Sequence, residues 1–139
     1  MSSAYTWQSA QPRSPSVRFA HWVFLLAGIV GLLEIVPLYF YESTLNRSQP
    51  PPITHPDFYY GFVGIALAWQ VAFLIISRDP MRYRPLAPVL FLEKLLYPCA
   101  IFALYMQGRV RPQMLDASML DLVWLVLFVA SWLKLRPET

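Results

Sequence analysis

Four stretches of about 20 mostly apolar residues, each long enough to cross a bilayer as a helix, constrain this chain more than any other feature. They run over residues 19–41, 58–77, 86–107 and 114–133. The breaks between them carry helix-ending punctuation. Pro50, Pro51, Pro52 and Pro56 crowd the first, Asp79-Pro80 and Arg84-Pro85 bracket the second, and Gly108 with Pro112 marks the third. The breaks are too short to hold another domain. The pattern predicts an all-α protein: an integral membrane four-helix bundle forming one domain over 19–134, with a polar tail over 1–18 and a short one over 135–139.

Composition agrees. Charged residues make up 14% of the 139, against about a quarter in an ordinary soluble domain, too few to cover a soluble exterior. The 57% hydrophobic content excludes disorder for the bulk of the chain. The apolar run after Arg18 is longer than the core of a secretory signal and ends in Tyr39, Phe40 and Tyr41, so it reads as an uncleaved first helix. A mitochondrial presequence fits less well, since the tail lacks an amphipathic arginine face.

Lys and Arg number 11 against 8 Asp and Glu, a formal +3. The distribution points to loop orientation and not to nucleic acid as a partner. With four spans, both termini and the middle loop share a side. That side carries Arg13, Arg18, Arg78, Arg82, Arg84, Lys134 and Arg136, the other Arg47, Arg109 and Arg111. The asymmetry predicts both termini in the cytoplasm, in a bacterial inner membrane. Arg78, Arg82 and Arg84, packed into one short loop, are candidate contacts for lipid headgroups or for a partner protein.

Ionisable groups inside apolar spans are costly, and chemistry is to be sought there. Counting about 1.5 Å per residue, Glu34 and Asp121 lie about 10 Å below the outer end. Gln70, Glu93 and Lys94 lie at a similar depth from the inner end. This sorting predicts an outer pair of acids with no base at their depth, within reach of Arg109 and Arg111 only. Adjacent helix positions diverge by about 100°, so one of Glu93 and Lys94 is expected to face the bundle and the other its edge. Glu34, Gln70, Glu93, Lys94 and Asp121 are the candidate ligand-binding residues; the alternative is a structural polar network. Ala27 with Gly31, and Gly64 with Ala68, are small-residue pairs suited to close helix packing. Pro37 and Pro98 are expected to kink their helices beside Glu34 and Glu93.

Cys99, the one cysteine, allows no intramolecular disulfide and is expected as an inert buried thiol. His55 and Asp57 are metal-ligand types without further ligands nearby, so no metal site is expected; Asp57 reads as the cap of the second span. No catalytic residue and no cofactor is assigned.

The stretch from His55-Pro56-Asp57-Phe58-Tyr59-Tyr60-Gly61 through Ala68-Trp69-Gln70, with Arg78-Asp79-Pro80, Arg82-Tyr83-Arg84-Pro85 and Glu93-Lys94, resembles small uncharacterised bacterial four-helix integral membrane proteins. More weakly, the layout is similar to the DoxX-like and EXPERA-like groups; in the EXPERA-like group, Pro56, Phe58 and Gln70 match an outer loop leading into a helix that begins with aromatics and carries a mid-span Gln. That resemblance implies a lipophilic-ligand cavity between the helices, lined by acids from the first two spans. Glu34 matches the first acid, and no acid stands in the second span between Asp57 and Asp79. The expected function is a non-catalytic accessory subunit or a binder of a lipophilic ligand (lipid, sterol-like or quinone-like). Its expected partners are membrane lipids and a larger membrane-protein complex or a homo-oligomer. The alternative is a membrane enzyme or proton-coupled carrier using Glu34, Asp121 and Glu93.

Overall fold

A computed structural model describes residues 14–135, so Arg13 and Arg136 lie outside the described residues. The described residues form five helices: α1 (Pro15–Ile35), α2 (Leu38–Ser48), α3 (Pro56–Arg78), α4 (Ala87–Met106, preceded by a 3-10 turn over Arg84–Leu86) and α5 (Pro112–Lys134). Four of them, α1, α3, α4 with its leading turn, and α5, are long and apolar enough to cross a membrane.

The first span differs most from expectation. It starts earlier, because Ser14 caps the helix by accepting from the Val17 N–H and Pro15 sits at the first helical position, where its missing donor costs nothing. It also ends earlier, where Pro37 interrupts the ladder while the backbone at Val36 and Pro37 stays helical. Pro37 cannot donate to the ladder, and the chain turns through Val36-Pro37 on tight bonds from Tyr39 N to Val36 O and Phe40 N to Pro37 O. Past the turn, α2 is a separate helix that carries Glu42, Ser43, Thr44, Asn46 and Arg47. Pro98, by contrast, stays inside an unbroken α4.

At the start of α3, His55 occupies the cap and Pro56 the first position, while Asp57 falls within the first turn. No side-chain cap bond forms, so Asp57 is not the cap; its carboxylate still favours the positive end of the helix dipole. Gly108, at φ +69°, takes the left-handed conformation that ends α4.

Packing joins two hairpin-like pairs. α1 lies against α3, α4 against α5, and α1 against α5, while no close backbone packing joins α3 to α4. The helices thus form an open arc in the order α3, α1, α5, α4. Ala27, Gly28 and Gly31 are buried at the α1–α3 seam, as the small-residue pattern predicts for α1. The second pair does not pack this way: Ala68 is exposed, and Gly64 lies under the Tyr39 hydroxyl of α2.

The apolar core sits towards one end, where α1 begins and α3 and α5 finish. Phe24 meets Phe128 at 4.7 Å between ring centroids, and Phe128 meets Phe73 at 5.1 Å, with Ala20, Val23, Ile76, Leu90 and Leu135 around them. His21 Nδ1 donates to the Ser77 carbonyl at 2.7 Å, tying the start of α1 to the end of α3. Lys134 lies 5.0 Å from the Phe19 ring, and Arg84 stacks 4.8 Å from the Trp132 ring. This end carries Arg18, Arg78, Arg82, Arg84 and Lys134 and is called the basic end below.

Candidate functional site

Beyond the aromatic core the two hairpins diverge, and a cavity of about 830 Å³ opens between them. Each helix presents one stripe to it at helical spacing. Phe62, Ile65, Ala66, Trp69 and Gln70 come from α3, and Val89, Leu92, Glu93, Leu96 and Tyr97 from α4. Ala27, Gly31 and Glu34 come from α1, and Ala117, Leu120, Asp121 and Trp124 from α5. Leu38 at the start of α2 closes one edge. Ile65, Leu92 and Leu96 line the cavity and are exposed, so its mouth lies along the α3–α4 seam. Phe62 and Tyr97 stack across that seam at 6.1 Å.

All five candidate ligand residues line this one cavity. The expected division into an outer and an inner layer is not what forms. Lys94 Nζ donates to Asp121 Oδ1 at 3.1 Å and to Glu93 Oε1 at 3.4 Å. The four-carbon lysine stem spans the depth that separated the two layers. Asp121 therefore has a base beside it, and neither Arg109 nor Arg111 takes that role. Arg109 bonds the Gln107 side chain, and Arg111 the Pro50 carbonyl.

Glu93 and Lys94 do not diverge to opposite surroundings either. Their side chains are 16% and 7% exposed, and both reach the cavity, because the lysine folds back across its neighbour. Lys94 Nζ also lies 5.1 Å from the centroid of the Phe73 ring. Glu93 Oε2 is buried and lies 3.3 Å from Lys94 Nζ, with no other partner among the described residues. Glu34, exposed on α1, lines the same cavity without an ion-pair partner among the described residues.

Gln70 forms the α3 wall. Its Nε2 donates to the Ala66 carbonyl at 2.9 Å, and its Oε1 lies against the bare Cα of Gly31. With the carboxamide in this place, a Cβ at that position of α1 would overlap it.

α2 is held over the far end of α3 by tyrosines. Tyr59 donates to the Leu38 carbonyl and Tyr60 to Glu42 Oε2, each at 2.7 Å, and Tyr39 stacks with Tyr60.

The loop arginines stand apart from the cavity. Arg78 and Arg82 are exposed, the Arg82 backbone N–H being held by Asp79, whereas Arg84 is half-buried on Trp132. Cys99 is exposed, not buried, because α4 turns that position away from α5. Among the described residues no group of three or more metal-ligand side chains assembles.

Sequence reasoning missed Asp116, Phe62, Trp69, Tyr97 and Trp124, which also line the cavity. The signal was present as helical stripes, but in spans apolar on every side a cavity-facing stripe has the same composition as an outward one. No protein-family model matches the chain, and neither a curated protein nor a solved structure does.

Proposed function

We propose that this chain is a multi-pass membrane protein that holds a lipophilic molecule with a polar head in the cavity between its two hairpins. The carrying observation is a cavity of about 830 Å³ with mostly apolar and aromatic walls and a few converging polar groups. Ligand sites span about 300–1,000 Å³ and share that make-up. The ion cluster supports the same reading. Bringing Glu93, Lys94 and Asp121 out of water is expensive, and apolar residues would serve a bundle that only had to fold. The mouth between α3 and α4 is flanked by exposed Ile65, Leu92 and Leu96, which suits entry from hydrocarbon.

The expected setting is a bacterial inner membrane, with the basic end at the cytoplasmic face. Five arginines and lysines gather at that end, against Arg47, Arg109 and Arg111 at the other. Arg78 and Arg82, exposed there, are placed to touch anionic headgroups.

Native mass spectrometry of the protein, extracted from membranes in mild detergent, tests the reading. The wild type should carry a co-purifying lipid. Ala117→Trp, which fills the cavity from α5, and Glu34→Ala, which removes a polar anchor, should both lose it. A wild type that carries nothing, or an Ala117→Trp variant that retains its lipid, overturns the proposal.

A further inference from the structure

Lys94 is one of two lysines in the chain, and the other, Lys134, stands exposed at the end of α5. Lys94 is 6% exposed and lines the cavity, so a primary amine stands in an apolar space that opens along the α3–α4 seam. A lysine in a membrane span ordinarily carries its ammonium out to the interface. This one is held inside: its Nζ lies 3.1 Å from Asp121 Oδ1, 3.3 Å from Glu93 Oε2 and 5.1 Å from the centroid of the Phe73 ring. One carboxylate is enough to match its charge. The second, within the same reach, is a base beside the amine while the first serves as counterion.

The geometry points to Lys94 as the atom site at which this cavity captures a lipophilic aldehyde, held as an iminium on Nζ. This rests on the cavity being a ligand site and adds the reacting atom and the class of ligand. A desolvated lysine amine forms imines with carbonyl compounds, and a carboxylate within hydrogen-bond reach carries the proton transfers. Lys94 passes one ammonium proton to Glu93, and the freed lone pair forms a C–N bond to the aldehyde carbon. The C=O π pair moves to oxygen, which takes that proton back from Glu93. A second proton, from nitrogen, follows the same route to the new hydroxyl. The C–O bond then breaks, water leaves, and the nitrogen lone pair closes the C=N bond. Ammonium and aldehyde thus give iminium and water, with one positive charge on each side and no oxidant or reductant. The iminium keeps Asp121 and Glu93 as counterions and stays near the Phe73 ring, as the ammonium does. Walls carrying Trp69 and Trp124, and a mouth flanked by exposed Leu92 and Leu96, select an aldehyde with a long apolar tail over a water-soluble one.

The test uses the full chain in nanodiscs of phosphatidylcholine, with hexadecanal as the probe. Picoline–borane, a neutral reductant, fixes any imine, and peptide mass spectrometry locates the alkylated amine. Hexadecanal should alkylate Lys94 in preference to Lys134 by on the order of tenfold, the effect of holding the aldehyde beside the amine. Propanal, with no tail to fill the cavity, should reverse that order, because Lys134 is the exposed amine. Hexadecanol, which has the tail and forms no imine, should be retained in native mass spectrometry and should protect Lys94 but not Lys134. Lys94→Arg keeps the charge and cannot form the imine, so it should retain hexadecanol and show no alkylation in α4. The competition needs no variant and decides the matter even where Lys94→Arg fails to fold. Hexadecanal on Lys134 as readily as on Lys94, or on Lys94 despite saturating hexadecanol, overturns the imine assignment, and retained hexadecanol then leaves the cavity a ligand site. If hexadecanol is not retained and Lys94 is not alkylated, the ligand-site reading fails with it.

Discussion

Replacing Gly31 by alanine places a methyl group where Gln70 Oε1 now sits. The obstacle is the far end of a flexible side chain at the edge of a cavity, so α1 and α3 need not separate. Gln70 can swing into the open space, giving up its bond to the Ala66 carbonyl, about 0.5–1.5 kcal/mol, and leaving its preferred rotamer at a similar cost. The expected destabilisation is about 1–3 kcal/mol. Gly28→Ala is a different case. A Cβ there falls 2.6 Å from Leu74 Cδ2 and 3.0 Å from the Gln70 backbone carbonyl, which cannot move aside without shifting α3. Its cost belongs at or above the top of that range.

The assay is reversible unfolding by sodium dodecyl sulfate in dodecyl maltoside micelles, run as a double-mutant cycle with Gln70→Ala. In the Gln70→Ala background the penalty of Gly31→Ala should nearly vanish, a coupling of about 1–3 kcal/mol. The penalty of Gly28→Ala should persist. Strict additivity between Gly31→Ala and Gln70→Ala would falsify the claim that the Gln70 carboxamide rests on the Gly31 Cα. Rescue of Gly28→Ala by Gln70→Ala would show that backbone contact does not limit the seam.

Lys94→Met removes the base shared by Glu93 and Asp121. It should cost about 3 kcal/mol in the same assay, at the low end for breaking a buried pair, because Asp121 keeps 26% of its side chain exposed; an unchanged midpoint would mean that the cluster does not form. Tyr60→Phe deletes the hydrogen bond to Glu42, so hydrogen exchange should quicken in α2 and stay constant in α1. Equal protection of α2 in both proteins would remove the tyrosine from its anchoring. Cys99→Trp should leave stability in the same unfolding assay within about 0.5 kcal/mol, as for an outward-facing position, and a loss of several kcal/mol would contradict that placement.

How much was legible follows from what each residue type signals on its own. Proline, glycine and capping residues act locally, so the helices at Pro56–Arg78 and Pro112–Lys134 begin and end within about two residues of where hydropathy and punctuation put them. Pro37 interrupts a helix wherever it stands, and the ladder is interrupted there; that the residues beyond it form α2 against α3 depends on tyrosines of another span. Side-chain reach is not local. Depth counted along helices put Lys94 and Asp121 on different levels, and neither the length of the lysine stem nor the facing of α4 towards α5 can be counted from a single helix. The same holds for Gln70, whose neighbour Gly31 is 39 positions away in sequence and is recognisable only as a small residue.

The placement of the cavity follows from where the hairpins are joined. Phe128 of α5 meets Phe24 of α1 and Phe73 of α3, and is itself fully buried, which pins the two pairs together near the basic end. α1 and α3 stay close along their seam because Ala27, Gly28 and Gly31 present almost no side chain there. On the α3–α4 side the large rings of Phe62, Trp69 and Tyr97 line the cavity, and Phe62 and Tyr97 stack across the seam. The polar groups are divided between the halves: Glu34 and Gln70 belong to one hairpin, Glu93, Lys94 and Asp121 to the other. A molecule whose head touched Glu34 and Glu93 would therefore bridge two bodies joined firmly at only one end.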